Sequence, residues 1–190
     1  MIKAALVGNI ASGKSAAENI LLKLGYKVLD TDKVCHKLLY ELDEIVVVFR
    51  DFDVFENGKI SREKLGKLVF DTPDLKQKLE NIIYPHLRIK IEEFFAQNSN
   101  ENLVFVAIPL LFEAGMEDLF DKIFFIYCND EIRLNRLIAR NGYTKEYAKI
   151  RMDSQVSQDE KILKADFVVY NESTLEELEN NIRLAIGQIR

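Results

Sequence analysis

Residues 2–15 read I-K-A-A-L-V-G-N-I-A-S-G-K-S, and they predict a strand, a glycine-rich loop and the start of a helix, in that order. Residues 2–7 are a short apolar run that ends at a glycine, which is typical of a buried parallel strand. Residues 8–15 match the pattern G-x-x-x-x-G-K-[ST] in full. Apolar residues at helical spacing then continue to Gly25, a residue type that commonly ends helices. The motif therefore stands in the structural context in which it binds phosphate.

The loop over residues 8–15 has the chemistry of a site for a nucleoside triphosphate. Gly8 and Gly13 allow backbone angles that turn successive N–H groups toward a polyphosphate, and the following helix adds its positive N-terminal end. Lys14 can reach the β- and γ-phosphates, and the Ser15 hydroxyl can hold Mg²⁺. The competing interpretation is a glycine-rich turn with an exposed lysine. The residues expected to contact the nucleotide here are Gly8, Ala11, Ser12, Gly13, Lys14, Ser15 and Ala16.

Four further apolar runs have the length and composition of buried strands. They cover residues 27–29, 103–108, 122–128 and 167–170, with helical patterns between them. Five such strands separated by helices predict an α/β fold, a P-loop NTPase with a five-stranded parallel sheet and helices on both faces. Capping-box patterns at residues 157–160 and 173–176 predict the starts of two helices.

The spacing of these runs divides the single domain into three parts. The core covers about 1–32, 101–129 and 165–190, a helical insertion about 33–100, and a small helical lid about 130–164. Inside the insertion, Asn57-Gly58 predicts a turn and Thr72-Pro73 predicts a helix start. Pro85 is expected to separate two further helical pieces.

Composition limits the functions that are open to this chain of 190 residues. Its formal charge is −5, so the surface as a whole is not expected to attract nucleic acid or an anionic membrane. The sequence has no apolar run long enough to span a membrane and no signal-peptide pattern, and we therefore expect a cytoplasmic protein. Cys35 and Cys128 are expected to be buried and reduced, and two histidines without a cysteine cluster suggest no zinc site.

Four short segments outside the loop match the pattern of a known family. Residues 29–32, L-D-T-D, correspond to an I-D-A-D-like segment, and residues 109–113 read P-L-L-F-E. Residues 151–155 and 165–171 match R-x-x-x-Q and A-D-x-x-x-x-N elements. With these segments the chain resembles the dephospho-coenzyme A kinases over nearly its whole length. Its phosphate loop departs from the family's usual residues at Asn9, Ala11 and Ala16.

The resemblance implies ATP-dependent phosphorylation of the ribose 3′-hydroxyl of dephospho-coenzyme A, with Mg²⁺, to give coenzyme A and ADP. ATP and dephospho-coenzyme A would be the partners, and the insertion would hold the acceptor. A kinase for another small acceptor, such as a nucleoside monophosphate, is the alternative. A regulatory nucleotide switch is disfavoured, because residues 108–111 and 127–130 match neither the D-x-x-G nor the N-K-x-D segment typical of such switches.

Asp32 is the candidate catalytic base, a role that the resemblance implies. A carboxylate just beyond the second strand lies at the edge of the sheet where doubly wound proteins bind ligands. There it can take the proton of an acceptor hydroxyl or orient that hydroxyl. The alternative is a helix N-cap for a helix over residues 33–42. Asp30 either assists the metal or turns the chain.

Arg133, Arg136 and Arg140 fall on one stripe of a predicted helix. By themselves they would form a solvated charged face. In a phosphoryl-transfer enzyme, lid arginines stabilise the charge that develops on the γ-phosphoryl group. We therefore expect Arg140 and Arg136 to contact phosphates and Arg133 to lie at the surface. Asn141-Gly142 supplies a flexible turn for closure of the lid.

Several other positions keep two interpretations. Glu113 is either a metal-water or acceptor contact or a carboxylate at a helix start. Asn171 follows the last strand, where related kinases place the loop that touches adenine, so we expect a base or backbone contact. Either Tyr84 or His86 takes the place of the histidine that usually precedes the proline in this family. The aromatic residues of the insertion are interpreted as core in preference to acceptor contacts: Phe52, Phe55, Tyr84, Phe94 and Phe95.

Overall fold

The computed structural model describes residues 1–189, which contain both strands and helices. The strands are β1 (Ile2–Gly8), β2 (Lys27–Asp30), β3 (Phe55–Glu56), β4 (Lys59–Ile60), β5 (Leu103–Ala107), β6 (Lys122–Tyr127) and β7 (Phe167–Tyr170). The helices are α1 (Lys14–Lys23), α2 (Thr31–Glu41), α3 (Asp43–Phe49), α4 (Arg62–Asp71), α5 (Pro73–Gln97), α6 (Asp130–Asn141), α7 (Lys145–Asp153), α8 (Gln158–Ile162) and α9 (Leu175–Gly187). A short 3₁₀ helix, Glu117–Leu119, lies between β5 and β6.

The main sheet is parallel and has β1 at its centre. Within residues 1–189 its five strands lie in the order β2, β5, β1, β6, β7. β1 runs parallel to β5 and β6, and β6 runs parallel to β7. The carboxyl ends of parallel strands meet at one edge of a sheet, which is where doubly wound proteins bind ligands. The predicted α/β fold with a five-stranded parallel sheet is confirmed.

The sheet core packs aromatic side chains against small ones. Ala4 of β1 lies opposite Phe105 of β5. The rings of Phe105 and Phe124 meet edge to face with centroids 5.3 Å apart, a contact that contributes about 0.5–1.5 kcal/mol beyond the burial itself. Leu21 of α1 and Ile182 of α9 are buried in the same cluster. Because α1 begins where the glycine-rich loop ends, this packing fixes the direction of its N-terminus.

The chain divides into two compact units. The sheet unit comprises Met1–Leu29 and the residues from Asn98 onward, and the helical unit is Asp30–Gln97. The helical unit contains α2 to α5 and the antiparallel strands β3 and β4. Asn57 and Gly58, with φ of 51° and 76°, form the predicted turn between these two strands. The expected division into core, insertion and lid, with the insertion holding the acceptor, stays a prediction.

The expected boundary at Pro85 is wrong, because α5 runs without a break for 25 residues from Pro73 to Gln97. A proline inside a helix lacks the N–H that would bond to the carbonyl four residues earlier. Buried apolar side chains nevertheless continue at helical spacing on both sides of the proline: Ile83, Leu87, Ile91 and Phe95. Their packing inside the helical unit outweighs the local loss. The helix start at Pro73 is confirmed.

Helix caps follow the sequence closely, with one displacement. Ser157 caps α8 by accepting from the Glu160 N–H, as its capping-box pattern predicts. The second pattern is displaced by one residue, since Thr174 is the cap of α9 and accepts from the Glu177 N–H. No helix in the described range of 189 residues has both the length and the apolar composition needed to cross a membrane.

Candidate active site

The loop between β1 and α1 has a backbone geometry that depends on glycine at two positions. A Cβ at Gly8 would come within 2.5 Å of the Ser12 Oγ. Gly13 has a φ of 97°, in the left-handed region, and a Cβ there would overlap the Nδ2 of Asn171. The loop closes through a 3.0 Å hydrogen bond from the Ser12 N–H to the Asn9 carbonyl. The sequence motif is therefore folded as a compact turn of backbone.

The N-terminus of α1 is suited to bind an anion. Gly13 provides no side-chain cap, and the first turn of α1, which lies wholly within the described residues, contains no acidic side chain. The first N–H groups of the helix and its dipole therefore favour negative charge at this end. Lys14 is 9% exposed, while Ser15 is exposed beside it and Ala16 is half-buried. Together with the glycine turn, this is the arrangement of a phosphate-binding loop.

Asn171 leaves β7 directly against the phosphate loop. Its side chain is buried, and its Nδ2 donates to the Ser12 carbonyl at 2.7 Å. Its backbone N–H donates to the Tyr127 carbonyl at 2.8 Å, which ties the position to the end of β6. The side chain thus supports the loop backbone next to Gly13. Its predicted contact with nucleotide stays a prediction.

The expectation that Arg133 lies at the surface is wrong. Its side chain is 3% exposed, with Nε donating to the Ile10 carbonyl at 3.0 Å and Nη1 donating to Asp130 Oδ1 at 2.7 Å. Burial lowers the pKa of the Arg133 guanidinium, and the Asp130 carboxylate opposes that shift. The helical stripe places this arginine under the phosphate loop because α6 turns its first half toward the loop. Arg133 is therefore part of the site's framework.

Arg136 and Arg140 lie in different surroundings. Arg136 is half-buried, and its Nη1 is 3.4 Å from the Cys128 Sγ and close to Gly13 of the loop. Arg140 is exposed in the last turn of α6, where its Nε donates to the Asn141 Oδ1 at 2.8 Å. Cys128 is buried as expected, and burial raises the pKa of its thiol. The structure brings Arg136 to the loop and leaves Arg140 at the solvent-exposed end of its helix.

In the helical unit, Asp30 and not Asp32 caps α2. The Asp30 Oδ1 accepts from the Asp32 N–H at 3.0 Å and from the Lys33 N–H at 3.4 Å, and its Oδ2 is 3.0 Å from the Lys33 Nζ. Asp30 therefore turns the chain into the helix, as one of its two interpretations predicts, and its assistance to a metal stays a prediction. Asp32 is exposed in the first turn of α2. The alternative role of Asp32 as the helix cap is wrong, because α2 starts earlier than the expected residue 33.

Comparison with known proteins identifies the family. A family model described as dephospho-CoA kinase matches residues 2–177. A dephospho-CoA kinase from Listeria innocua is 36% identical over 185 residues, which cover 93% of this chain and 92% of that relative. The chain belongs to the dephospho-CoA kinase family. The family resemblance of the sequence is thereby confirmed.

Solved structures of similar proteins share this architecture over their whole length. A Thermus thermophilus protein aligns with a TM-score of 0.87 at 30% identity, over 100% of this chain and 98% of the other. A dephospho-CoA kinase from Campylobacter jejuni aligns with a TM-score of 0.73 at 33% identity, over 98% of both chains. The protein is thus a kinase with a P-loop fold, as predicted.

The P-L-L-F-E segment of this dephospho-CoA kinase family member follows β5 as a series of turns. The expectation that Glu113 stands at a helix start is wrong, because residues 109–115 are turns, while its contact with metal-bound water or acceptor stays a prediction. The Glu113 Oε1 accepts from the Lys161 Nζ at 2.7 Å and from the Val156 N–H at 3.3 Å. The Lys161 side chain is completely buried, and its Nζ lies 5.9 Å from the centre of the Phe112 ring. Glu113 therefore belongs to an ion pair in which the lysine side chain is fully buried and the carboxylate is partly exposed.

The R-x-x-x-Q element places its glutamine against the phosphate loop. The Gln155 Oε1 accepts from the Ile10 N–H at 2.7 Å, and the Asn9 Nδ2 donates to the Val156 carbonyl at 2.9 Å. The R-x-x-x-Q pattern is the sequence signal for Gln155, although the pattern alone does not state what the glutamine contacts. Lys161 carries no such signal, because an isolated lysine in a short polar helix is normally solvated.

A polar cavity of about 470 Å³ opens beside the phosphate loop. Asn9 and Arg133 line it, and each has a buried polar atom, Oδ1 and Nη2 respectively, without a hydrogen-bond partner among residues 1–189. Three aspartates also line it, Asp130, Asp153 and Asp159. Water fits this mixture of donors and acceptors, and the cavity is roomy enough to hold several molecules of it.

Proposed function

We propose that this protein transfers the γ-phosphoryl group of ATP to the ribose 3′-hydroxyl of dephospho-coenzyme A, giving coenzyme A and ADP. Membership of the dephospho-CoA kinase family over residues 2–177 supports the acceptor. The observation that carries the donor half is the phosphate loop, with its glycine turn at Gly8 and Gly13 followed by a helix N-terminus without acidic residues. We place the reaction in the cytoplasm without a nucleic-acid partner, consistent with the formal charge of −5.

The phosphate loop binds the triphosphate mainly through its backbone. The N–H groups of Ala11 and Gly13 and those at the start of α1 would donate to phosphate oxygens, while the Ser12 N–H holds the loop closed on the Asn9 carbonyl. Lys14 adds a positive charge at the start of that turn, where it would lie against the β- and γ-phosphates. Arg136 beside Gly13 would add a second charge, and Asn171 supports the loop from the end of β7.

Ser15 is suited to hold Mg²⁺ through its hydroxyl. No group of three or more carboxylate, histidine or cysteine side chains in the described part of the chain could hold a metal ion by itself. Mg²⁺ commonly takes few protein ligands and completes its shell with phosphate oxygens and water, so one exposed hydroxyl beside the phosphate site fits it. When bound, the ion neutralises charge on the phosphates during transfer.

Asp32 is our proposed base for the acceptor hydroxyl. The Asp30 carboxylate already caps α2, so the cap does not explain why a second carboxylate follows it in the first turn. Asp32 is exposed, and the L-D-T-D segment matches the position that the family resemblance assigns to the base. A carboxylate there can accept or orient the hydroxyl proton as the oxygen attacks phosphorus. Arg140 would approach the developing charge when the lid closes, which agrees with its place at a helix end before Gly142 (φ 67°).

A coupled ADP-release assay over a panel of acceptors tests the proposal. We expect turnover with dephospho-coenzyme A to exceed that with AMP, CMP and adenosine, and the product to carry a new 3′-phosphomonoester by ³¹P NMR. A preparation of Lys14→Ala made in parallel controls for contaminating kinases. Faster turnover with a nucleoside monophosphate would replace the proposed acceptor with that one.

A further inference from the structure

Side chains hold both peptide groups of Ile10 in the phosphate loop. The Ile10 N–H donates to the Gln155 Oε1 at 2.7 Å, and the Ile10 carbonyl accepts from the Arg133 Nε at 3.0 Å. The residue before it, Asn9, donates through Nδ2 to the Val156 carbonyl at 2.9 Å. Three hydrogen bonds therefore join two consecutive loop residues to the segment predicted as the lid.

The Glu113–Lys161 ion pair, in which only the lysine side chain is fully buried, holds the residue next to Gln155. The Glu113 carboxylate that accepts from the Val156 N–H also accepts from the Lys161 Nζ, and the lysine side chain has no exposed surface. Without Glu113 the fully buried Lys161 ammonium would be left as an uncompensated charge, which is strongly unfavourable. Each partner therefore constrains the other, and through Glu113 the pair constrains the backbone of Val156. Gln155 is fixed by these contacts of its neighbour as well as by its own bond to Ile10.

The residue that follows Ile10 gives a physical reason for this support. Ala11 has a φ of 62°, in the left-handed region that residues with a Cβ seldom adopt. A residue keeps such a conformation only where its surroundings over-determine it. The N–H groups that would meet the phosphates begin at the same point of the chain. A relaxation of Ala11 would turn them away from the ligand.

We propose that Gln155 is a positioning residue for phosphoryl transfer. By accepting from the Ile10 N–H it holds the loop in its phosphate-binding conformation, and the Glu113–Lys161 pair keeps Gln155 in place. Gln155 acts through the loop and requires no contact with nucleotide. The inference rests on the proposed binding of ATP by the loop and is independent of the acceptor.

Two substitutions of Gln155 separate the hydrogen bond from packing. Gln155→Met keeps the length of the side chain and removes the amide oxygen, whereas Gln155→Glu keeps an acceptor oxygen. For Gln155→Met we expect faster hydrogen exchange at the Ile10 amide by NMR and a loss of about three- to tenfold in Mg·ATP affinity by calorimetry, the equivalent of one hydrogen bond. The melting temperature and the acceptor KM should stay unchanged. Gln155→Glu should restore protection of the Ile10 amide.

Results for Gln155→Met can overturn the proposal in two ways. Wild-type ATP affinity with faster exchange at Ile10 would show that the bond does not matter for phosphate binding. A lower melting temperature with unchanged ATP affinity would show a purely structural role. Because ATP binding is measured without acceptor, a wrong acceptor leaves this test intact. A wild-type protein that fails to bind ATP would instead sink the proposed function.

The ion pair provides a second test with a matched control. Lys161→Met removes the buried charge. Lys164→Met is the control: the Lys164 side chain is 59% exposed, and its Nζ lies 5.3 Å from the centre of the same Phe112 ring. We expect Lys161→Met to weaken ATP binding and to speed exchange at the Ile10 amide, and Lys164→Met to do neither. If Lys161→Met does not fold, Glu113→Leu/Lys161→Met removes both charges together and takes its place, with the same expected loss of ATP affinity. Equal ATP affinity in the Lys161 variant and the Lys164 control would contradict the proposal.

Discussion

The loop after β1 and the turn after β2 differ in what carries their chemistry. In the first, the groups that we propose to face the ligand are backbone N–H groups, and Gly8 and Gly13 contribute by having no side chain. In the second, two carboxylates stand two residues apart and have different surroundings. Asp30 is drawn back to cap α2, while Asp32 is exposed in the first turn. The proposed role of the loop depends on its backbone conformation, whereas that of the turn depends on the position of one charged side chain, Asp32.

This difference explains why the two segments were unequally predictable. Only a few residue types fit the left-handed turn at Gly13, so the sequence pattern of the loop predicts its backbone geometry. An aspartate after a strand can serve either as a helix cap or as a ligand contact. If α2 started two residues later, at residue 33, Asp32 would be the cap in place of Asp30. Only the hydrogen bonds of the Asp30 side chain show that Asp30, and not Asp32, caps the helix.

The largest effect should come from the loop. Lys14→Ala removes the charge nearest to the expected β- and γ-phosphates while leaving the glycine turn in place. We expect phosphoryl transfer to fall by at least about 10²-fold, comparable to the loss of one preorganised donor in other active sites. Steady-state ADP release measures this, and circular dichroism checks that the fold is kept. Lys23→Ala, in the last turn of the same helix, is the matched control, and near-normal turnover of Lys14→Ala would refute the loop's role.

The second prediction is that Asp32 governs the rate of phosphoryl transfer and Asp30 governs stability. Asp32→Asn should fold and bind both substrates but transfer about 10²-fold more slowly, the low end for loss of a general base. Asp30→Ala should destabilise the protein by about 0.5–2 kcal/mol, as expected for a lost helix cap. Kinetics, calorimetric binding and denaturant unfolding of both variants test the exchange.

The comparison of Asp32 with Asp30 fails under two outcomes. A rate loss below about fivefold in Asp32→Asn, with binding unchanged, would leave the base unassigned. A larger rate loss in Asp30→Ala than in Asp32→Asn would reverse the two roles. Either result would show that exposure of Asp32 is a poor guide to its chemistry.

The fold was predictable where one local rule dominates. Buried parallel strands are near-continuous apolar runs, and β5 and β6 show this in Leu103–Ala107 and Lys122–Tyr127. Pro85 shows the limit of such rules, because the local preference against proline in a helix is overridden by buried side chains before and after it. That packing involves distant parts of the helical unit, which no local pattern contains.

The conformation of the phosphate loop was predictable from its motif, whereas contacts between side chains that are far apart in the chain were harder to predict. The loop residues follow from their spacing, whereas Arg133 was expected at the surface and is buried beneath Ile10. Lys161 gave no signal, because its burial depends on Glu113, which lies 48 residues away in the chain. Contacts between charged side chains so far apart in sequence depend on the tertiary fold.

The third prediction tests whether the loop alone stabilises the negative charge of the phosphates or Arg140 contributes as well. Arg140→Ala should lower the turnover rate by about tenfold, and by more than it weakens ATP binding, because the contact strengthens as charge develops. Arg140 is exposed at the end of α6, so the change should leave stability unaffected. Single-turnover kinetics with calorimetric ATP binding distinguish the two effects, and Lys149→Ala on the exposed surface of α7 is the control. An unchanged rate with weaker ATP binding would make Arg140 a ground-state contact like the loop.

The smallest effect concerns Cys35, which reports on the charge of Asp32. Burial and, after it, the negative charge of Asp32 raise the pKa of the Cys35 thiol from 9.0 to about 11. A raised thiol pKa means that less of the reactive thiolate is present at a given pH, so alkylation at pH 8 should be about 10²-fold slower than for an unperturbed thiol and should increase up to about pH 11. Iodoacetamide labelling of Cys35 in a Cys128→Ala background, followed by mass spectrometry, measures this.

Asp32→Asn in the Cys128→Ala background tests the second cause by itself. Loss of the Asp32 charge should lower the Cys35 pKa and speed labelling, but by less than about tenfold, because burial is the larger cause and remains. Asp43→Asn, at the start of α3, should have no effect and serves as the control. Unchanged labelling in Asp32→Asn would mean that solvent screens this carboxylate fully from the thiol. The side chain would then project into water, away from the helix that carries it, which would weaken the contrast with the inward-turned Asp30.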